Sequence, residues 1–155
     1  MAVPRPGVQE RILLHLRDYV DHADKVEVPF ALSQMGIANA VAIARSNVPR
    51  AIAGMREQGH LIERQAHVTG VSRKRKAYFL TEEGANIADD IWSKVSTQPV
   101  RLIHPDGRSE TLDLAQALES TDLPLRHVDF LRYIDDTGTV DLSTLSAELI
   151  ERDLS

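Results

Sequence analysis

The sequence contains no cysteine, and only 5% of its 155 residues are aromatic. The absence of cysteine excludes disulfides and every metal site built on thiolates. No stretch approaches the ~20 apolar residues that a membrane-spanning helix needs, and residues 1–11 lack the apolar core of a signal peptide. We therefore expect a cytoplasmic protein with no membrane partner.

The motifs of common enzyme classes are missing as well. The sequence has no phosphate-binding loop, no glycine-rich dinucleotide turn and no GxSxG motif. Its six histidines include no HxxxH pair, and the adjacent acids Asp89-Asp90 and Asp135-Asp136 should face different directions on helices. We therefore predict no catalytic activity, no metal site and no cofactor.

The charge of the chain is strongly segregated. The formal net charge is −5, while 43% apolar and 26% charged residues are ordinary for a folded protein. Lys and Arg number four against five Asp and Glu in residues 1–40, eight against two in residues 41–80, and six against sixteen in residues 81–155. The middle block, at +6, favours phosphate binding, and the acidic remainder should repel DNA.

Residues 33–59 have the pattern of two short helices joined by a tight turn. Ser33 can cap the first helix, Ser46 or Asn47 the second, and Gly59 suits the end of the pair. Ala42 occupies the turn where helix-turn-helix motifs usually have glycine, which predicts a less strained turn. The apolar residues recur at helical spacing and should be buried: Ile37, Ala38 and Val41 on the first helix, and Val48, Ile52 and Met55 on the second.

Two segments rich in β-favouring residues follow, at 60–68 and 76–81, and should form a hairpin. Four consecutive basic residues lie between them: Arg73, Lys74, Arg75 and Lys76. Such a run is often only a solvated loop, but beside a helix pair it is suited to follow a phosphate strand or to place one arginine in the minor groove. Because neighbours on a strand face opposite sides, we do not expect all four to contact DNA together.

The order of helix, helix, Gly-His-Leu-Ile-Glu-Arg, basic hairpin and Tyr-Phe-Leu-Thr-Glu-Glu-Gly resembles MarR-type and archaeal winged-helix transcription regulators over residues 9–95. The resemblance implies a mainly α, α+β fold, with a winged helix-turn-helix DNA-binding domain in residues 1–97. It also implies double-stranded DNA as partner and a homodimer. The arrangement is similar to the region that precedes the ATPase module in some archaeal regulators, so an alternative is that the chain is the N-terminal part of a larger ATPase-containing regulator.

The candidate DNA contacts on the second helix follow from its exposed positions. Arg50 can read guanine and Asn47 adenine through paired hydrogen bonds, and Arg56 is a further candidate base contact. The alternative for both arginines is that they are merely solvated. Arg45 and Ser46, at the helix entrance, are suited to hold a phosphate. Together with the four basic hairpin residues, these are the predicted site.

Helices should flank this motif on both sides. A helix over residues 9–20 should bury a stripe that includes Tyr19 and Val20 and expose Arg11 and Arg17. A short edge strand is expected near residues 26–30. Thr81 should cap a helix over residues 82–95. This helix is expected to contribute to dimerisation, with Trp92 buried by a partner chain or by the C-terminal segment.

Residues 98–155 should form a separate small segment of a β-hairpin and helices. The hairpin turns at Asp106-Gly107, a helix is expected over residues 113–118 and a longer one over 123–134, and Ser143 should cap the last. This acidic segment could serve dimerisation or dock a protein partner, so a protein-interaction module of winged-helix fold is the alternative function. Its final helix, strand and helix also match the start of a second winged helix, although no recognition helix or wing follows.

Overall fold

The computed structural model describes residues 6–123 and 125–154. They form two compact units, an N-terminal unit (Pro6–Trp92) and a C-terminal unit that begins at Ser93. The helices are α1 (Val8–Arg17), α2 (Gln34–Val41), α3 (Val48–Glu57), α4 (Glu82–Val95), α5 (Leu114–Ser120), α6 (His127–Leu131) and α7 (Leu142–Leu154). The strands are β1 (Glu27–Val28), β2 (Leu61–Val68), β3 (Arg75–Leu80), β4 (Pro99–Ile103), β5 (Ser109–Asp113) and β6 (Thr139–Asp141). None of the helices described here is both long and apolar enough to span a membrane.

The N-terminal unit is a winged helix. Helices α1, α2 and α3 pack together, and the sheet has the order β1-β2-β3. Strand β1 is the edge and runs parallel to β2, with Glu27 opposite His67, whereas β2 and β3 form an antiparallel hairpin with Leu61 opposite Leu80. The predicted α+β winged helix-turn-helix fold is confirmed.

Helix α1 is shorter and more deeply buried than the sequence predicted. It ends at Arg17, and residues 20–22 form a separate 3₁₀ helix that leaves Val20 50% exposed. The five consecutive residues from Ile12 to Leu16 are all buried, because α2, α3 and β3 cover this helix on more than one side. Arg11 and Arg17, predicted to face solvent, instead bond to other elements, as described below.

The start of α2 is fixed by its cap and by a close backbone approach. As predicted, the Ser33 hydroxyl accepts a hydrogen bond from the Gly36 N–H (3.1 Å), and it also donates one to the Phe30 carbonyl (2.7 Å). Any side chain at Gly36 would overlap that Phe30 carbonyl. Glycine is therefore required where α2 meets the preceding 3₁₀ helix Phe30–Leu32.

The turn after α2 contradicts the prediction of a relaxed turn. Ala42 adopts the left-handed conformation, with φ 57° and ψ 51°. The Ile43 N–H reaches back to the Ala38 carbonyl (3.1 Å), and Arg11 Nη1 donates to the Val41 carbonyl oxygen (2.6 Å). These bonds satisfy the end of α2 and hold alanine in a conformation that glycine adopts more readily.

Helix α3 begins differently from the prediction. Neither Ser46 nor Asn47 caps it through a side-chain hydrogen bond, since the 3₁₀ helix Arg45–Asn47 runs directly into α3. Its buried residues are those predicted: Val48, Ile52 and Met55. Gly59 follows the last turn with φ 79°, as expected of a helix terminator.

The predicted hairpin of the C-terminal unit is confirmed, and its sheet has the order β5-β4-β6. Strands β4 and β5 are antiparallel around a turn containing Gly107 (φ 90°), and β6 runs parallel to β4 with Leu102 opposite Val140. Asp113 accepts a hydrogen bond from the Gln116 N–H at the start of α5 (2.8 Å). The short extended segment predicted near residues 139–142 is β6, which joins the hairpin in one sheet.

Two predictions about this unit were wrong. The helix expected over residues 123–134 is only α6, because Arg126 is extended at its start and Asp135 forms a turn with Thr137 and Thr139 after its end. A proline at 124 also disfavours helical backbone at residue 123, where that helix was predicted to begin. The cap of α7 is Asp141 rather than Ser143, since the Asp141 carboxylate accepts a hydrogen bond from the Ser143 N–H (3.0 Å).

We predict that Ala42→Gly raises the free energy of unfolding by about 0.5–1 kcal/mol, because glycine removes the clash of a Cβ in left-handed backbone. The matched control is Ala40→Gly in α2, which should lower it by about 0.5–1 kcal/mol. Urea denaturation of both variants measures the difference. A loss of stability in both would place the left-handed residue elsewhere in the turn.

Candidate nucleic-acid interface

Helix α3 presents one face to solvent. Opposite its buried stripe lie the exposed residues Arg50, Ala53 and Glu57, which are spaced by three and four positions. One flank is covered by α1, where Gln9 Nε2 donates to the Ala51 carbonyl (3.4 Å). The face bearing Arg50 remains open, as the sequence predicted for a base-reading position.

The entrance to α3 carries three further predicted site residues. Arg45, Ser46 and Asn47 form the 3₁₀ helix that precedes α3, and all three are exposed. Neither the Ser46 hydroxyl nor the Asn47 amide caps the helix, so neither is committed to the backbone there. The structure therefore places Arg45, Ser46, Asn47 and Arg50 on one continuous segment.

The β2–β3 hairpin, which we call the wing, carries the four basic residues. Arg73 and Lys74 lie in the bend before β3, whereas Arg75 and Lys76 are its first two residues, opposite Ala66 and Gln65. All four are exposed. The predicted alternation applies only to Arg75 and Lys76, because Arg73 and Lys74 are not on a strand.

Three other arginines of the N-terminal unit are bonded into the fold. Arg11 holds the end of α2, and Arg17 Nε lies 2.7 Å from Asp89 Oδ1 on α4. Arg64 donates to two carbonyl oxygens of the segment before β1, at 2.9 Å each, and its guanidinium lies 4.6 Å from the Phe79 ring centroid. Arg64 belongs to the basic block of residues 41–80, but its guanidinium has a structural role.

Arg56 shares features of both the exposed site residues and the arginines that are bonded into the fold. Its Nη1 is 3.7 Å from Glu63 Oε1 on β2, which forms an ion pair, and its side chain remains 48% exposed. It projects from the flank of α3 towards the sheet, not from the outward face that carries Arg50. Sequence reasoning missed Glu63, since no local spacing connects it with Arg56 and only the packing of α3 on β2 brings the two together.

A buried tyrosine lies opposite the acidic member of this ion pair. Tyr78 is 1% exposed, lies opposite Glu63 across the β2–β3 pair, and its hydroxyl accepts a hydrogen bond from Gln34 Nε2 (2.9 Å). Burial raises the pKa of Tyr78 above its ordinary value of 10.0, and the neighbouring Glu63 raises it further against the opposing effect of Gln34. The hydroxyl therefore keeps its proton at neutral pH.

Six of the predicted cations form no ion pair within the part of the chain that the structure describes. Within residues 6–123 and 125–154, no acidic side chain lies within ion-pair distance of these residues: Arg45, Arg50, Arg73, Lys74, Arg75 and Lys76. The same part of the chain contains no group of three His, Asp or Glu side chains placed as metal ligands. The chemistry of this surface is therefore that of exposed positive charge on a winged helix.

Comparison with known proteins gives structural neighbours only. The sequence matches no protein-family model and no curated protein. A structure of the zinc-responsive MarR family member ZitR from Lactococcus lactis is 20% identical, with a TM-score of 0.46 over 96% of this chain and 79% of that one. MepR, a transcription regulator of the Staphylococcus aureus multidrug efflux pump MepA, is 18% identical, with a TM-score of 0.42 over 57% and 56%.

A variant of ZitR gives 22% identity and a TM-score of 0.43 over 56% of this chain and 49% of that one. The chain thus spans about half the length of several structures that it resembles. Its structural neighbours include a MarR family member, ZitR. At these identities and scores, the function of this chain is inferred from its own geometry.

Proposed function

We propose that the chain is a DNA-binding transcription regulator. In this proposal α3 enters the major groove, and the wing lies along the phosphate backbone. The observation that carries the proposal is the distribution of the six cations that form no ion pair among the described residues, which occur at positions 45 and 50 and in the wing at 73–76. In a winged helix these are the recognition helix with its entrance and the hairpin beside it.

The pairing of the other arginines supports this assignment. Arg11, Arg17 and Arg64 bond to backbone or to an acid within the N-terminal unit, so their charges stabilise the fold. An exposed cation without a partner contributes little to stability. Six such residues, at the start of α3 and in the wing, are suited instead to neutralise phosphates. Contacts with phosphates supply most of the affinity of DNA-binding proteins.

The roles within this surface follow from the chemistry of each side chain. Arg50, on the outward face, can donate two hydrogen bonds to guanine O6 and N7, and Asn47 can pair with adenine in the same way. Arg45 and Ser46 are placed to hold a phosphate at the helix entrance. Arg73 and Lys74, with one of the strand neighbours Arg75 and Lys76, contact the backbone, and one arginine enters the minor groove where that groove is narrow.

We further propose a homodimer, because one recognition helix reads too few base pairs to discriminate a site within a genome. Two helices of a two-fold dimer enter successive major grooves about 34 Å apart. Helix α4 offers a pairing surface: Ala88 is buried, whereas Ile91 and Trp92 are only half-buried in the single chain. Trp92 also lies beside Arg17, whose guanidinium carbon is 6.0 Å from its ring centroid.

Replacing Arg73, Lys74, Arg75 and Lys76 together by alanine should weaken binding to all duplexes alike, because phosphate contacts carry no base information. Fluorescence anisotropy with mixed-sequence duplex DNA across a salt series measures the effect. The slope of log affinity against log salt should shrink by about 0.9 for each phosphate that the wing no longer neutralises. An unchanged slope would remove the wing from the interface and favour the protein-interaction module.

Arg50→Ala should weaken binding to a selected site by about 1–3 kcal/mol and binding to mixed DNA much less, because it removes a base contact. Arg101→Ala, which removes an exposed cation from β4, is the matched control and should change neither. Titrations with a duplex obtained by in vitro selection and with mixed-sequence duplex DNA give the two affinities. Equal losses on both duplexes would make Arg50 a phosphate contact.

Sedimentation of the chain at micromolar concentration should report a dimer, and Trp92→Ala should shift it towards monomer, because a large apolar side chain leaves the interface. Val26→Ala is the control, since Val26 is an apolar side chain that is 75% exposed outside α4. A monomer in the unaltered chain would contradict the proposed assembly.

A further inference from the structure

The outward face of α3 carries one acidic residue, Glu57, which is also the last residue of the helix. Arg50, Ala53 and Glu57 follow one another at intervals of three and four positions, so their side chains form one exposed row. Among the residues that the structure describes, the Glu57 carboxylate has no ion-pair or hydrogen-bond partner. Its neighbours one helical turn back are Ala53 and Gly54, which carry no charge that could pair with it.

This position is unfavourable for a carboxylate in two ways. The C-terminal end of a helix carries partial negative charge, which repels an acid in the last turn of α3. The same carboxylate repels the phosphates of any duplex that lies on Arg50. No contact in the described part of the chain offsets either repulsion. Such a conflict between a residue and its surroundings is expected where the residue has a functional role.

The chemistry of a carboxylate matches one base edge of DNA, because an ionised carboxylate only accepts hydrogen bonds. In the major groove guanine presents two acceptors, and thymine presents an acceptor and a methyl group. Adenine presents an amino donor, but its N7 acceptor lies beside that donor. Cytosine presents its N4 amino donor with no acceptor of its own, so it is the base that suits Glu57.

We infer that Glu57 is a specificity-determining residue of the proposed DNA interface, where its carboxylate accepts a hydrogen bond from the N4 amino group of a cytosine. The inference rests on the proposed function and requires α3 to lie along the major groove. The exposed row permits this, because its central residue, Ala53, has only a methyl group as its side chain. Ala53 and Glu57 also border an open cleft of about 540 Å³ between α3 and β2, so the sheet does not cover them.

The spacing along α3 predicts where the cytosine lies in the site. Glu57 follows Arg50 by seven positions, which corresponds to about 10 Å along the helix axis. Base pairs stack about 3.4 Å apart, so the cytosine should lie about three base pairs from the guanine that Arg50 reads. Homeodomain recognition helices read bases through residues with the same spacing of three and four positions.

Glu57→Gln tests the inference through a change of base preference. Glutamine is similar in size and shape, but it pairs with N6 and N7 of adenine. In vitro selection with the unaltered chain should give a site with cytosine about three base pairs from the guanine that Arg50→Ala no longer requires. Selection with Glu57→Gln should give adenine at that one position and leave the rest of the site unchanged.

A double-mutant cycle between protein and DNA isolates the contact. Thymine in place of the cytosine should weaken binding of the unaltered chain about tenfold, because its O4 acceptor replaces the amino donor. The same thymine should have almost no effect on Glu57→Ala, which lacks the carboxylate. Glu82→Gln is the matched control, since it removes the same charge from an exposed residue of α4. That variant should select the same site as the unaltered chain.

The outcomes separate the inference from the proposed function. If Glu57→Gln tightens binding to all duplexes alike and selects an unchanged site, Glu57 only repels phosphates and the inference is wrong. An equal loss on thymine for the unaltered chain and Glu57→Ala would overturn it as well. In both cases the proposed function stands, whereas an unaltered chain with no salt-dependent affinity for DNA would contradict that function itself. Thermal unfolding should show both Glu57 variants at least as stable as the unaltered chain, because an acid leaves the end of α3.

Discussion

The hydrogen bond from Arg11 to the Val41 carbonyl is the interaction on which the geometry of the candidate interface depends. It joins the buried helix α1 to the last residue of α2, where a carbonyl has no partner within the helix. With that end fixed, Ala42 turns through the left-handed region, and the chain enters the 3₁₀ helix Arg45–Asn47 and then α3. Val48, fully buried at the start of α3, sets the angle at which Arg50 is presented.

The basic residues of the N-terminal unit divide by what they bond. Arginines inside the fold meet carbonyl oxygens, Asp89 or an aromatic ring, and each connects elements that are distant in sequence. The cations of the 3₁₀ helix, of α3 and of the wing have no such partner among the residues described. Arg56 stands between the two classes, because it is paired with Glu63 while its side chain remains 48% exposed. Charge counting along the sequence cannot separate these roles, since Arg64 and Arg75 look alike until their surroundings are known.

Local patterns predicted most of the N-terminal unit. Helical spacing identified the buried faces of α2 and α3, the Ser33 cap and the Gly59 terminator follow from backbone chemistry, and alternating β-favouring residues identified the wing. The errors arose where tertiary bonds prevail over local preference. Ala42 is left-handed because Arg11 and Ile43 bond the end of α2, and the helix predicted over residues 123–134 is limited to α6 by the turn that Asp135 forms. Glu63 could not be found at all, since its partner lies on another element.

The central claim is that DNA lies on α3, on its entrance and on the wing. Backbone amide shifts of the labelled chain, recorded by NMR while a duplex is added at low salt, test that claim directly. We expect shifts concentrated at residues 45–50 and 70–76 that reverse when salt is raised, because phosphate contacts dominate the affinity. Shifts confined to residues 99–154, or none at DNA concentrations well above a micromolar dissociation constant, would contradict it.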